Sequence, residues 1–96
     1  MTIWNHCKMS TLYYSEDGAE ENYPCVVKII DDEILVEYDD EGLVQYRGPN
    51  DASGHFLLTA PDVEGRASLH RFPDANILEG SWVEAGYRGM WRIELG

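Results

Sequence analysis

Ile77–Leu95 reads ILEGSWVEAGYRGMWRIEL, and its residues pair on paper as a hairpin turning at Ala85-Gly86. Trp82 then faces Gly89, Gly80 faces Trp91 and Leu78 faces Ile93, all on one side. On the other side Glu79 faces Arg92, Ser81 faces Met90 and Val83 faces Arg88. Strand side chains alternate faces, so a one-residue slip would break every pair. Large aromatics opposite glycines cover bare strand positions, and Glu79–Arg92 is a favourable cross-strand pair. Fold, rather than function, is what this stretch makes legible.

Working outward, the 96 residues suit a single domain, 1–96, with a core just large enough to fold alone. Apolar residues make up 44% of the chain and recur in alternating runs, which argues against disorder. No apolar run approaches the roughly 18 residues of a membrane-spanning helix. The opening MTIWNHCKMSTLYY has no charged-then-apolar signal pattern, so we expect a cytoplasmic protein. Cys7 and Cys25 form neither a CxxC nor a metal-ligand spacing and are expected to be buried free thiols. The net charge of −11 disfavours direct contact with nucleic acid or an anionic membrane, since both demand basic surface.

Residues 3–14 read as a strand, and Ser15-Glu16-Asp17-Gly18 as a turn closed by glycine. Continuing that pairing sets Met9 opposite Cys25 and Cys7 opposite Val27, with Glu20, Glu21 and Asn22 in a frayed polar end. CVVKII (25–30) and EILVEY (33–38) flank Asp31-Asp32, which pairs Ile29 with Ile34 and Val27 with Val36. Asp39-Asp40-Glu41-Gly42 repeats the first turn and sets Val36 opposite Tyr46 and Tyr38 opposite Val44. After the 48–54 loop, HFLLTA (55–60) and RASLHRF (66–72) turn Phe56, Leu58, Ala67 and Leu69 inward. One helical turn is expected at 73–76. The total is an all-β meander of seven or eight short antiparallel strands. Such a meander closes most naturally into an up-and-down β-barrel, because closure removes both unpaired edges. The weak point is strand one meeting the last strand, so a partly open barrel is the structural alternative.

Alternate turns of that meander gather at one end. Glu16, Asp17, Asp39, Asp40, Glu41, Asp62, Glu64 and Glu84 lie there, with no lysine or arginine in those turns. Turns favour aspartate and charge there resists aggregation. The alternative is a docking rim for a basic protein, or a mimic of nucleic acid, acting through Glu16, Asp17, Asp39, Asp40, Glu41 and Asp62. The acidic runs do not match a calcium loop. His6, His55 and His70 share no zinc-ligand pattern. No serine sits in a nucleophile elbow and no glycine-rich phosphate loop precedes a helix. We expect no catalysis, metal or cofactor. The inward aromatics Trp82, Trp91, Tyr46, Tyr38 and Phe56 either fill the barrel or line a ligand-binding mouth.

Gly80-Ser81-Trp82 and Gly89-Met90-Trp91, together with the meander, resemble the calycins, the lipocalin- and avidin-type barrels. Those barrels carry a glycine–x–tryptophan on their first strand, whereas both copies here lie on the final hairpin. The resemblance implies a ligand-binding mouth and carries over no binding residue. Two functions are therefore expected, in order. The first is a non-enzymatic protein holding a small apolar or aromatic molecule, and the second is an acidic module binding a basic protein. Val26, Ile30, Leu35, Val83 and Met90 on the outer face raise the further expectation of a homodimer.

Overall fold

The computed structural model describes residues 1–14 and 18–96. Its eight strands are β1 (Thr2–Tyr13), β2 (Gly18–Ile30), β3 (Glu33–Asp39), β4 (Leu43–Pro49), β5 (His55–Ala60), β6 (Gly65–His70), β7 (Ile77–Glu84) and β8 (Tyr87–Glu94). Each pairs antiparallel with the next, and β1 pairs with β8, so the meander closes into an up-and-down barrel. Among the described residues the only helical piece is a 3-10 turn, Pro61–Val63. Among those residues no helix is long and apolar enough to cross a membrane.

The final hairpin has the register expected of it, from Leu78 opposite Ile93 to Val83 opposite Arg88. Ala85 and Gly86 both have positive φ, 50° and 87°, as a two-residue turn matching the strand twist requires. The β2–β3 and β3–β4 registers also agree with the alternation of apolar residues. Gly80 and Gly89 do more than make room for aromatic rings. A Cβ at Gly80 would strike the carbonyl oxygen of Ser68, and one at Gly89 that of Leu12. The backbones of β6 and β1 approach so closely there that only glycine fits.

Four expectations are corrected. Cys7 pairs with Cys25 and Met9 with Tyr23, two residues away from the register counted back from the turn. A bulge between Trp4 and Cys7 on β1 lies beyond both pairs, and one at 20–23 on β2 only trims a mismatch that is already present at the turn, where Tyr13 pairs with Gly18. Asn22 takes φ 59° in the second, a left-handed conformation that asparagine tolerates. Glu20, Glu21 and Asn22 thus belong to a paired strand rather than a frayed end. The segment 73–76 is a turn instead of a helix, because Asp74 has φ 61°. The turn read at Ser15–Gly18 lies largely outside the described residues. Strand one is not the weak seam either. It meets β8 continuously from Lys8–Glu94 to Tyr13–Gly89, whereas β4 and β5 share one bridge, Arg47–Thr59.

Inward residues of every strand form one core, including Val27, Ile34, Val36, Leu58, Leu69 and Ile93. Both cysteines are free and buried within it. Burial, and then the neighbouring Cys7, push the Cys25 thiol up to about 12, which leaves it almost wholly protonated at neutral pH. Of the outer apolar residues Met90 is exposed, Val26, Ile30 and Val83 are half-buried, and Leu35 is only 6% exposed. Leu35 lies between Lys28 and Arg47. Two ion pairs bracket it, Lys28–Glu37 at 2.7 Å and Arg47–Glu33 at 3.5 Å. They hold long aliphatic stems beside its side chain.

Burial alone would raise the Glu37 carboxyl, but hydrogen bonds from Lys28 and Gln45, with the charge of Lys28 and Arg47, hold it below its ordinary 4.5. A lowered folded-state value stabilises the fold fully above the unfolded value, and this is lost as pH falls through the folded one. Glu37→Gln should therefore cost about 1 kcal/mol at neutral pH. The gap to the wild type should close as pH falls below 4.5, measured by urea midpoints across pH.

Candidate functional site

At the end of the barrel bearing the 39–42, 61–64 and 85–86 turns, the inward residues stop short of filling the interior. A cup of about 110 Å³ remains, lined by Met9 and Thr11 of β1, Trp82 of β7, Trp91 of β8, and a ring of tyrosines and acids above them. Tyr13, Tyr23 and Tyr38 supply the aromatic part of that ring, and Glu20, Asp40 and Glu84 the acidic part. An apolar cavity of about 150 Å³ takes a benzene molecule, so this cup suits a group slightly smaller.

Strand alternation places most of these side chains. Met9, Thr11 and Tyr13 follow one another inward along β1, as Leu78, Gly80, Trp82 and Glu84 do along β7. Glu20 is there for a different reason. The bulge at 20–23 inserts one extra residue into β2, which changes the parity of the strand and turns Glu20 toward the cup opposite Thr11.

The rings meet edge to face. Tyr23 and Tyr38 are 6.2 Å apart at 89°, Tyr38 and Trp91 6.2 Å at 80°, and Tyr13 and Trp82 5.3 Å at 85°. Trp82 and Trp91 stack at 5.9 Å. Glu84 ties the floor together across the barrel. Its Oε1 accepts hydrogen bonds from the hydroxyls of Tyr46 at 2.6 Å and Tyr38 at 3.1 Å. Burial, followed by the charge and hydrogen bonding of Glu84, pushes both phenols well above their ordinary range, so each remains a donor. The Tyr23 hydroxyl donates to the backbone carbonyl of Asp39. Burial, then the charges of Asp40, Asp39 and Glu20, raise the Tyr23 phenol. The indole N–H of Trp82 is buried without a hydrogen-bond partner.

Of the five aromatic candidates, Tyr38, Trp82 and Trp91 line the cup. Tyr46, fully buried, lies beneath it, bonded to Glu84 and packed edge-on against Trp91. Phe56 is a core residue outside the cup. Of the acidic candidates, Asp40 lines it. Asp39, Glu41 and Asp62 are exposed outside it, where the Asp39 carboxylate caps the Gly42 N–H at 3.0 Å. Glu16 and Asp17 lie outside the described residues. Sequence reasoning missed Tyr13, Tyr23 and Glu20 as cup residues and counted Glu84 only as a rim charge. Glu84 was discoverable, since it sits two residues beyond the inward Trp82. Tyr23 was discoverable in the same way, two residues before the inward Cys25, whereas Glu20 was hidden by the bulge.

Among the described residues no group of three His, Cys, Asp or Glu side chains could hold a metal ion. No protein-family model matches the chain, and neither a curated protein nor a solved structure matches it.

The tryptophans are 4% and 3% exposed, so they serve the core as well as the cup. Trp91→Ala should lower the stability by about 3–5 kcal/mol, whereas removing the half-exposed ring of Tyr23 should cost less than half as much. Urea denaturation of the two variants checks this. Binding tests therefore belong on the rim of the cup rather than on its floor.

Proposed function

We propose that this is a non-enzymatic binding protein that holds a small ligand in the mouth of the barrel. The observation that carries this reading is the aromatic cup itself. Tyr13, Tyr23, Tyr38, Trp82 and Trp91 surround one cavity at the open end of a filled core. Binding sites are characteristically concave, mostly preformed, and equipped with a few convergent polar groups. Glu84, with Glu20 and Asp40 at the mouth, supplies such groups here. The likeness of the glycine–tryptophan pairs to those of calycin barrels supports the same reading. The volume favours one compact apolar or aromatic group, with the remainder of a larger molecule projecting from the mouth.

A second reading, docking of a basic protein on the rim, draws support from Asp39, Asp40, Glu41 and Asp62. Among the described residues none of the four forms an ion pair, so their charge is available to a partner.

Native mass spectrometry of tagged protein drawn gently from its source cells tests both. The mouth reading predicts a surplus of a few hundred daltons or less, lost on denaturation and diminished in Tyr23→Ala. A stoichiometric basic protein that dissociates at high salt would replace it with the rim reading. A bare chain at low and high salt alike would contradict both.

A further inference from the structure

We propose that the ligand taken by the mouth is a small organic cation, an alkylammonium headgroup of the trimethylammonium or protonated-amine kind. This rests on the mouth being the binding site and adds the chemical class.

The lining of the cup decides the sign. Its ionisable carboxyl groups are Glu20, Asp40 and Glu84, and no lysine, arginine or histidine lines it. The bases on the nearest strand ends, Arg66 and Arg88, flank Val83 on the outer face and are exposed to solvent. A wholly apolar guest would strip water from carboxylates and return nothing, and an anion would meet like charge. A cation is attracted by the carboxylates and by the aromatic faces at once.

Ring geometry agrees. Aromatic faces carry negative charge, and a cation within about 6 Å of a ring centroid is held by it, most strongly where water is excluded. Here Tyr23 stands perpendicular to Tyr38, and Tyr38 nearly perpendicular to Trp91, so the walls of the cup meet at corners rather than stacking flat. Rings set this way present both faces and edges to one small volume, the arrangement used to cage quaternary ammonium groups. A trimethylammonium head, one nitrogen and three methyl carbons, has fewer heavy atoms than benzene and suits the 110 Å³ of the cup.

Isothermal titration calorimetry at low salt tests this with choline and with its neutral carbon isostere, in which tert-butyl replaces trimethylammonium. Choline should bind at least about tenfold more tightly. The exposed-site double variant Glu20→Gln/Asp40→Asn, with its urea midpoint confirming the fold, should lose most of that preference. Equal or tighter binding of the isostere would overturn the cationic class while leaving the mouth as a binding site. Failure of both to bind at millimolar concentration would also overturn it. The mouth reading itself is judged separately by the mass of what the native protein retains. Choline binding that the double variant keeps in full would place the cation elsewhere and overturn the assignment.

Discussion

The packing of Trp91 is the interaction on which the rest of the molecule depends. It stands opposite Gly80, meets Tyr46 edge-on at 4.9 Å and Tyr38 at 6.2 Å, and stacks on Trp82 at 5.9 Å. Aromatic pairs of this kind contribute about 0.5–1.5 kcal/mol each beyond the area they bury. An eight-stranded barrel is just wide enough for side chains to fill or for one small ligand. Trp91 divides those outcomes within a single barrel: below it the interior is packed core, and above it the cup remains. The close approach of β6 at Gly80 and of β1 at Gly89 keeps the wall tight around this plug.

What stands above the plug is polar for a structural reason. Glu84 is the last inward residue of β7, and two tyrosines from the far side of the barrel, Tyr38 and Tyr46, both donate to it. One carboxylate thereby joins β3 and β4 to β7 across the interior, satisfying two buried hydroxyls that would otherwise be costly. The same carboxylate gives the floor of the mouth its negative charge. Support of the fold and character of the site share one side chain.

The parts of the fold that rest on alternation and turn chemistry were legible in the sequence. The registers of β7–β8, β2–β3 and β3–β4 follow from apolar residues spaced two apart on either side of tight turns. Closure was legible as well, because a long meander has no better way to hide its edges. The β1–β2 register was not. The pairing already departs from the expected one beside the turn, at Tyr13–Gly18, and the bulge at Asn22 then changes parity without any composition signal beyond a residue tolerant of positive φ. The site inherits the same boundary. Trp82, Trp91, Tyr38 and Asp40 are found by alternation and turn position, and Tyr23 by alternation from Cys25, while Glu20 reaches the cup only through the bulge. Phe56 shares the inward parity of the cup residues but not its end of the barrel, since alternation fixes a face and leaves depth unspecified.

A small cation seated in the cup above Trp91, with the rest of the interior closed, would touch only some of the indoles. The chain's three tryptophans report on it separately. Trp82 and Trp91 line the cup, whereas Trp4 lies near the start of β1, paired with Val27 and with Arg71 over its ring at 5.4 Å. Proton–nitrogen correlation spectra of the indole N–H groups during titration with tetramethylammonium would read all three in one experiment. Saturable shifts at Trp82 and Trp91 and a stationary Trp4 signal are expected. Movement of Trp4 alone, or three signals unmoved at high concentration, would contradict that placement.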